Sequence, residues 1–395
     1  MPRSQRPDFP PPALITTTAE LDALCTRLRE EKFVTVDTEF MRERTYWPEL
    51  CVLQVAGAHE VAVIDALAKG IDLAPLVALF SDEAVEKVFH AARQDIEIFV
   101  LRFGAVPKPL FDTQVAAMVA GFGDQVGYDS LVASLTGGHI DKAHRFSDWA
   151  ARPLSPAQIN YAAADVTHLR GVYEKLRARL EKERRLEWVA EEMAVLSDPA
   201  TYRADPEQFF ERLRPRTHNR RLLGILRAVA AWREREAQRA NIPRQRMLKD
   251  EALMEIAAIA PESADSLARA RGVSRGFADG RMGASLLAAV AEAKALPEEA
   301  LPVAERHRDT ARPSPALIAL LRVLLSANCE RHHVASRLVA DAGDLDRLAT
   351  EDEPDIPAMH GWRREIFGND AQALKQGAIA LGVDGRRVKQ VPVGR

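Results

Sequence analysis

A short run of strand-forming residues that carries two carboxylates constrains the fold more than any other feature of this chain. Residues 33–40 read Phe-Val-Thr-Val-Asp-Thr-Glu-Phe, and their β-branched and aromatic side chains predict a β-strand. Side chains alternate between the two faces of a strand, so Asp37 and Glu39 share one face. Val34 and Val36 share the opposite face. The pattern predicts a strand with one side on an apolar core and carboxylates projecting near its far end.

A second acidic position, Asp95, follows another predicted strand. Residues 85–91 predict this strand, and residues 94–103 predict the helix that comes after it. Asp95 then lies in the first helical turn, beside the end of the sheet. An acidic residue at a helix start is by default a favourable partner of the helix dipole. The other carboxylates of the chain favour a metal-binding role instead.

A third acidic position, Asp165, lies on a long predicted helix together with a tyrosine. Ser155, Pro156 and Gln158 form a capping-box pattern with proline at the first helical position. Tyr161 and Asp165 are therefore one turn apart on one helix face. A helical tyrosine is usually a packed aromatic with a satisfied hydroxyl, but the spacing to Asp165 favours a catalytic role.

The carboxylates of the three segments suit a site for divalent metal ions; they are Asp37, Glu39, Asp95 and Asp165. Mg²⁺ and Mn²⁺ take oxygen ligands, and a cluster of acidic side chains is needed to hold a hydrated ion firmly. Two such ions about 4 Å apart activate a water on one side of a phosphodiester and stabilise the leaving oxygen on the other. The set therefore predicts phosphodiester hydrolysis, with Tyr161 orienting or helping to deprotonate the attacking water.

The order of these residues resembles the three exonuclease motifs of the DEDDy family, and in particular the ribonuclease D family. The motifs here are Asp-x-Glu, His-x-x-x-x-Asp and Tyr-x-x-x-Asp, within a resemblance that covers roughly residues 15–200. Intervening pieces carry it further: Arg44-Thr45-Tyr46-Trp47-Pro48, Gln54, Phe111-Asp112-Thr113-Gln114, Ser147-Asp148-Trp149 and Arg152-Pro153-Leu154. Each piece alone is a weak signal, whereas the ordered set is specific.

The resemblance implies a ribonuclease-H-like α/β exonuclease domain with a mixed sheet, followed by all-α HRDC-type domains. It implies a 3′-5′ exoribonuclease that releases nucleoside 5′-monophosphates with two divalent ions, Mg²⁺ or Mn²⁺. The partner would be RNA with a free 3′ end, and we expect trimming of structured RNA, in particular tRNA precursors. The implied catalytic residues are Asp37, Glu39, Asp95, Tyr161 and Asp165, of which the four carboxylates are the metal ligands.

Two other functions remain compatible with the residues themselves. A 3′-5′ DNA exonuclease would use the same carboxylates, which do not report a 2′-hydroxyl. A non-catalytic RNA-binding scaffold would keep the carboxylates for structure alone, and replacing Asp37 would then leave its function intact. Matched RNA and DNA substrates test the first alternative, and the Asp37 variant tests the second.

Two residues beside the motifs are candidate contacts for the terminal nucleotide. Met41 follows the metal-binding strand and is predicted to wedge against the terminal base. His90 is predicted to fix the end of a strand or to touch substrate, and a hard ion that prefers oxygen excludes it from the metal ligands. Asp112 precedes an apolar run, so we interpret it as a helix cap rather than as a further ligand.

A strongly basic stretch follows the nuclease motifs. Residues 212–249 contain twelve Lys or Arg and two acids, a local formal charge of +10. Arg220, Arg221 and Arg227 lie on a segment with an apolar stripe, so they are predicted to face solvent and contact phosphate. The alternative is a solvated helical face without a ligand. The stretch from here to Val290 resembles an HRDC domain, the small helical module shared by helicases and ribonuclease D.

Turn signals and changes of pattern divide the chain into four predicted segments. A flexible, proline-rich leader covers residues 1–14, and the exonuclease domain covers residues 15–204. An HRDC domain covers residues 208–295, and a second, HRDC-like helical domain covers residues 312–385. Beyond residue 205 the chain reads as helices and loops without alternating strands.

The composition predicts a cytoplasmic protein. A formal net charge of -3 requires any surface for nucleic acid to be local. Cys25, Cys51 and Cys329 lack paired spacing, which predicts reduced thiols rather than disulfides or a zinc site. The N-terminal residues lack the apolar core of a secretory signal, and no apolar run is long enough to span a bilayer. We expect a monomer that does not contact membranes.

Overall fold

The computed structural model describes residues 9–203, 205–303 and 314–394, which form two compact units. The first unit contains residues 9–39, 50–202 and 314–394. The second contains residues 40–49 together with residue 203 and residues 205–303. The chain therefore leaves the first unit directly after Glu39, enters the second for ten residues, and returns at Leu50.

The first unit is built on a six-stranded mixed sheet. Its strands are β1 Ala13–Ile15, β2 Phe33–Met41, β3 Glu49–Ala56, β4 Val61–Asp65, β5 Glu86–Phe89 and β6 Leu110–Asp112. Their order across the sheet is β1-β4-β3-β2-β5-β6. β3 and β4 are antiparallel, whereas the pairs β1–β4, β2–β5 and β5–β6 are parallel. The mixed-sheet α/β fold class predicted from the sequence is confirmed.

The first strand of the sheet corrects the predicted leader. Ala13 and Leu14 pair in parallel with Ala62 and Val63 of β4. Residues 13 and 14 are therefore part of the sheet, and the predicted flexible segment extends too far. The strand has only three residues and directly follows Pro10, Pro11 and Pro12, so it was counted with the proline-rich leader. Residues 1–8 of the leader lie outside the described residues.

The described part of the exonuclease domain also contains seven α-helices. They are α1 Thr18–Leu28, α2 Ala74–Phe80, α3 Arg93–Phe103, α4 Thr113–Val119, α5 Tyr128–Thr136, α6 Pro156–Lys182 and α7 Leu186–Leu196. The capping box predicted at Ser155 and Gln158 is present at the start of α6. Asp112 caps α4 by accepting hydrogen bonds from the backbone N–H of Gln114 and Val115, which confirms its structural interpretation.

The second unit is helical. Its helices are α8 Arg220–Ala240, α9 Arg244–Met247, α10 Asp250–Ile259, α11 Ala264–Leu267, α12 Arg275–Asp279 and α13 Arg281–Ala295. The apolar stripe of α8 forms a core with residues of α10 and α13, including Leu226, Val229, Leu253 and Leu286. Asn219 caps α8 through its side-chain oxygen, which fixes where this long helix begins.

The C-terminal region packs as part of the first unit. Its helices are α14 Pro315–His332, α15 Ser336–Val339, α16 Ala342–Thr350, α17 Gly361–Arg363 and α18 Asn369–Lys375. It joins α7 of the exonuclease domain through Trp188 and Trp362, whose rings stack 4.5 Å apart, and through an ion pair between Arg363 and Glu191. That residues 312–385 are a second HRDC-like domain stays a prediction, and residues 312 and 313 lie outside the described residues.

A β-hairpin ends the chain where the sequence pattern predicts helices and loops. Its strands, β7 Ile379–Asp384 and β8 Arg387–Pro392, are antiparallel and joined by a tight turn at Gly385 and Arg386. Gly385 adopts a positive φ of 60°, a conformation that glycine supplies without strain. In β7, Ile379, Leu381 and Val383 alternate with Ala380, Gly382 and Asp384, a strand period that the prediction of helices and loops missed. The second strand also lies beyond the predicted boundary at residue 385.

Two predictions about composition can be compared with the described residues. The three cysteines are free and buried, as expected for reduced thiols. Among the helices of residues 9–203, 205–303 and 314–394, none combines the length and apolar character needed to cross a bilayer.

Candidate active site

Three of the predicted metal ligands meet at one place in the first unit. Asp37 and Glu39 project from the same face of β2, and Asp165 projects from α6. Each offers a carboxylate oxygen, and these three oxygens lie within 4.8 Å of one another. The strand residues are half-buried and Asp165 is buried. Val34 and Val36 on the other face of β2 are fully buried, so the core fixes the strand that presents the two acids.

The fourth predicted ligand, Asp95, lies beside this group rather than within it. It stands in the first turn of α3 and is buried, as the sequence predicts. Its carboxylate accepts a hydrogen bond from the hydroxyl of Thr38, the residue between Asp37 and Glu39. Its charge is nevertheless close enough to raise the pKa of Glu39. Asp95 is therefore held against the same strand and belongs to the same electrostatic cluster.

Burial raises the pKa of all four carboxylates, and the charge of Asp37 adds to the rise in the other three. Burial raises the pKa of Asp37 to about 6, and burial together with the charges of its acidic neighbours raises the pKa of Glu39 to about 10. Burial and the charge of Asp37 raise the pKa of Asp95 and of Asp165 well above the ordinary range. Like charges gathered in a buried place are unfavourable unless a cation joins them. Because all the donors are carboxylate oxygens, the residues fit hard divalent ions such as Mg²⁺ or Mn²⁺.

Tyr161 lies where the helix spacing places it, one turn before Asp165. Its hydroxyl hydrogen-bonds to the carboxylate of Asp165. Its ring lies 6.2 Å from that of His144 and 6.0 Å from that of Trp149, so the loop before α6 encloses it. Burial and the nearby carboxylates raise the pKa of Tyr161, and the phenol keeps its proton at neutral pH. Of the two roles predicted for it, the geometry favours orienting a water over removing its proton.

Several supporting residues were not assigned a role from the sequence. Gln54 on β3 donates from Nε2 to Oδ2 of Asp37 at 3.0 Å, which fixes the orientation of that carboxylate. The other amide atom, Oε1, is buried without a partner in the described part of the chain. Tyr128 donates its hydroxyl to the backbone carbonyl of Asp165. Gln54 was detectable as a polar residue inside the apolar run 50–56, whereas Tyr128 gave no signal.

A cation also reaches the cluster, and the sequence pattern did not identify it. The charge of Arg145 lowers the pKa of both Glu39 and Asp165, in opposition to the acidic neighbours. Arg145 is exposed and forms no ion pair or side-chain hydrogen bond with the described residues. Its guanidinium lies 5.4 Å from the ring of Phe146, which is 92% exposed. An arginine with free donors next to an acid cluster suits an anionic group of a substrate.

The two residues predicted to touch the terminal nucleotide have different surroundings. Met41 is the last residue of β2 and is half-buried. His90 packs its ring 5.0 Å from that of Tyr128, and its Nδ1 lies 3.0 Å from the hydroxyl of Thr113. Burial lowers the pKa of His90, so its ring is neutral. The contacts favour the prediction that His90 fixes a strand end, and substrate contact by either residue stays a prediction.

The three arginines predicted to contact phosphate are bonded to the protein backbone. Arg220 donates from Nη2 to the carbonyl of Leu301 at 2.9 Å. Arg221 donates to the carbonyls of Lys294 and Leu296, at 3.1 Å and 2.6 Å. Arg227 likewise donates to a backbone carbonyl, that of Ala300 at 3.2 Å. Arg221 is exposed as predicted, whereas Arg220 and Arg227 are half-buried, which corrects the expectation that these two simply face solvent. Contact of the three arginines with phosphate stays a prediction.

Comparisons with known proteins identify the families that this chain matches. The 3′-5′ exonuclease family matches residues 12–181, and the HRDC domain family matches residues 223–290. The ribonuclease D of Granulibacter bethesdensis is 69% identical over 395 residues, which is 100% of both chains. That of Gluconacetobacter diazotrophicus is 67% identical over 392 residues, or 99% of this chain and 100% of the relative.

A solved structure extends the similarity to the whole fold. The crystal structure of Escherichia coli RNase D, described as an exoribonuclease involved in structured RNA processing, has a TM-score of 0.81 at 30% identity. The match covers 93% of this chain and 99% of that chain. The matches select the exoribonuclease over the DNA exonuclease and the non-catalytic scaffold. This chain belongs to the ribonuclease D family and is a metal-dependent 3′-5′ exoribonuclease with an HRDC domain.

Proposed function

We propose that Asp37, Glu39, Asp95 and Asp165 bind two divalent ions, Mg²⁺ or Mn²⁺, and that the 3′ end of RNA is hydrolysed there to nucleoside 5′-monophosphates. The observation that carries this proposal is the cluster of acids from β2, α3 and α6, in which burial raises the pKa of every member and the charge of Asp37 raises the other three further. Such a cluster is stable in its ionised form only with bound cations.

The residues of the chain each have a defined task in this reaction. Bound divalent ions supply acidification of water and neutralisation of phosphate charge. Tyr161 stays protonated, donates a hydrogen bond to the Asp165 carboxylate, and uses an oxygen lone pair to orient the attacking water. Gln54 holds Asp37 in one rotamer through the bond at 3.0 Å, and the Thr38 hydroxyl does the same for Asp95. The carboxylates are thereby fixed before substrate arrives.

Arg145 is proposed to contact the phosphate of the terminal nucleotide. It is exposed, its donors are free of partners among the described residues, and its field reaches Glu39 and Asp165. Removal of the Arg145 guanidinium should raise KM for RNA. It should change the affinity for metal less, because the carboxylates remain in place. Steady-state kinetics of R145A and R145K check this. A bidentate phosphate contact would be lost in R145A and only partly restored in R145K.

The substrate is proposed to be structured RNA with an unpaired 3′ tail, such as a tRNA precursor. An exonuclease site accepts a single terminal strand, and a paired end must open before it can enter. The described function of the Escherichia coli neighbour in structured RNA processing supports this choice. We propose that the enzyme acts as a monomer in the cytoplasm, where such RNAs are found, and shortens each tail until it meets the folded body.

A revised set of cations is proposed to hold the RNA. The predicted contacts Arg220, Arg221 and Arg227 are used within the protein, but other cations of the same basic stretch are exposed and form no ion pair with the described residues. These are Arg214, Arg216, Arg246 and Lys249. Free cations gain most from phosphate, because no acidic partner has to be displaced.

Degradation of a 5′-labelled, 3′-tailed tRNA-like RNA tests the proposal. Wild type and D37N are compared with Mg²⁺, with Mn²⁺ and with chelator, beside a DNA of the same sequence. We expect a ladder that shortens from the 3′ end, requires metal, is absent with D37N and is weaker on DNA. Cleavage that persists in D37N would overturn the catalytic assignment, and arrest far from the folded body would overturn the proposed substrate.

A further inference from the structure

The segment between β2 and β3, together with the adjoining ends of these strands, belongs to the compact unit of the HRDC domain. Residues 40–49 and residues 205–303 belong to one compact unit. The side-chain oxygen of Asn241 accepts hydrogen bonds from the backbone N–H of Tyr46 at 3.1 Å and of Trp47 at 3.0 Å. Asn241 ends α8 in the left-handed conformation, with φ of 49°. One amide at the end of a helix thus fixes two consecutive backbone groups of the segment.

The aromatic side chains of the segment add a second set of bonds to α8. The Tyr46 hydroxyl donates to the carboxylate of Glu234 and accepts from Nε2 of Gln238 at 3.1 Å. Trp47 donates from Nε1 to the carbonyl of Gln238 at 3.3 Å. The two rings pack edge to face, 4.6 Å apart. We refer to this set, Tyr46 and Trp47 with Glu234, Gln238 and Asn241, as the α8 latch.

The buried carboxylate of Glu234 fixes the position of the segment in the α8 latch. The side chain of Glu234 is fully buried, and its ion pair with Arg244 at 2.9 Å uses the same oxygen that accepts from Tyr46. The other oxygen, Oε2, is buried without a hydrogen-bond partner among the described residues, so the charge of Glu234 depends on the bonds that Tyr46 and Arg244 make to Oε1. Removing one partner of a buried charge is costly, so these bonds hold the segment in a single register. An apolar contact of the same area would let the segment slide. The geometry is that of a positioning device and not of a loose linker.

The chain connects the α8 latch to the metal-binding acids over a short distance in sequence. Asp37 and Glu39 lie on β2, and only residues 40–45 separate Glu39 from Tyr46. We propose that Tyr46, Trp47 and Asn241 are positioning residues, which fix the outgoing end of β2 and thereby set the geometry in which Asp37 and Glu39 bind metal. The HRDC domain then contributes to catalysis itself and not only to the retention of RNA. This inference rests on the proposed role of the two carboxylates.

Variants at Asn241 test the proposal without disturbing the backbone. N241G keeps the left-handed conformation, because glycine adopts it freely, and removes only the side-chain acceptor. N241D restores an acceptor at the same place and tolerates the same conformation. Y46F is a second variant that keeps the ring and removes the hydroxyl. S285A is the matched control: it removes one hydrogen bond inside the same domain, that from Trp232 Nε1 at 3.0 Å, without touching the segment.

The decisive substrate is a dinucleotide, measured beside a long single-stranded RNA with the full-length enzyme. A dinucleotide has one scissile bond and little chain for a distant cationic surface to retain, so its cleavage reports the metal site. We expect N241G and Y46F to weaken Mn²⁺ binding by about tenfold in isothermal titration calorimetry without RNA, and to lower kcat by about tenfold on both substrates. N241D should recover most of that loss, and S285A should behave as wild type.

Each outcome separates this inference from the proposed function. If D37N remains active, the role of the carboxylates is wrong and the inference falls with it. If D37N is inactive while N241G and Y46F match wild type on the dinucleotide, the carboxylates are catalytic and the α8 latch has no positioning role. A change confined to KM for the long RNA would also overturn the proposal, since it would assign Asn241 to RNA retention. Equal losses in N241G and N241D would assign the effect to folding instead.

Discussion

Two highly charged regions of this chain differ in how far their charges are paired with opposite charges. In the exonuclease domain, Asp37, Glu39 and Asp165 converge within 4.8 Å. Burial raises the pKa of all three, and acidic neighbours add to the rise for Glu39 and Asp165. In the HRDC domain the basic stretch spreads its charge over helices α8 and α9. There Arg233, Arg235 and Arg244 form ion pairs with Asp250, Glu207 and Glu234.

The difference teaches how far a charge count can be trusted. A local formal charge of +10 over residues 212–249 suggests a binding surface, yet much of that charge stabilises the protein itself. Part of the neutralising charge comes from Glu207 and Asp250, which lie outside the counted stretch. The acid cluster has no excess in any linear window, because its members come from three distant segments. The functional site is therefore marked by charges that lack an opposite partner in the folded structure, and not by an excess of charge along the sequence.

The largest expected effect breaks the acid side of this comparison. D165N replaces a carboxylate of the cluster with an amide of the same shape. Mutating a residue that only hydrogen-bonds to a metal ligand costs up to roughly 100-fold in activity. Because Asp165 is itself a proposed ligand, the rate of RNA cleavage should fall by more than that. The metal-free variant should be more stable than metal-free wild type, because one repulsive charge is gone. Single-turnover kinetics and thermal unfolding in chelator measure the two effects. E60Q, which alters an acid paired with Arg27 elsewhere in the domain, is the control.

The next effect concerns the free cations of the basic stretch. R216A/R246A/K249A removes three exposed charges that form no ion pair with the described residues, so RNA affinity should fall by about tenfold and the salt dependence should become less steep. Filter binding over a range of salt measures both. R235A removes a cation that is already paired with Glu207 and should change neither. An equal loss in R235A would contradict the distinction between free and paired cations.

A smaller effect is expected for an arginine that supports the fold. R220A removes donors to the carbonyls of Leu301 and Pro302, which should lower the free energy of unfolding by about 1 to 2 kcal/mol. RNA affinity should stay within about twofold of wild type, since the guanidinium is used within the protein. Urea unfolding and filter binding on the same preparation make the comparison. A loss of affinity without a loss of stability would restore Arg220 as a phosphate contact.

The smallest effect is a pH dependence of the metal-free protein. The pKa of Asp37 is raised to about 6 in the folded chain, above the value of about 4 for an unfolded aspartate. Protonated Asp37 therefore contributes to the free energy of unfolding. This contribution is fully present below about pH 4 and is lost as the pH rises through about 6. In chelator, Tm should therefore fall more steeply over this window in wild type than in D37N. Saturating Mg²⁺ should remove the difference, and identical slopes in chelator would contradict the assignment.

Local patterns in the sequence predicted the parts of the site that depend on local geometry. The period of a strand put Asp37 and Glu39 on one face, and the period of a helix put Tyr161 beside Asp165. The capping pattern at Ser155 located the start of α6, and Asp112 was identified as a cap. These features depend on a few neighbouring residues, so the sequence contains all the information they need.

Features that depend on distant residues were not predictable in this way. That Arg220 donates to the carbonyl of Leu301 depends on where residue 301 lies, which no local pattern reports. Gln54 and Arg145 act on the acid cluster from other elements, and neither stands out without coordinates. The missed features share a cause: their physical basis is a tertiary contact.

The interleaving of the two units also has a consequence for synthesis of the protein. Residues 40–49 leave the ribosome well before residues 205–303, which they fold against. At roughly 5 to 20 residues per second, the intervening stretch takes on the order of 10 to 30 s to make. During that interval Tyr46 and Trp47 have no partner from α8, and the outgoing end of the metal-binding strand is not yet fixed. A truncated chain released early would therefore contain all four acids and still lack the helix that holds that strand end.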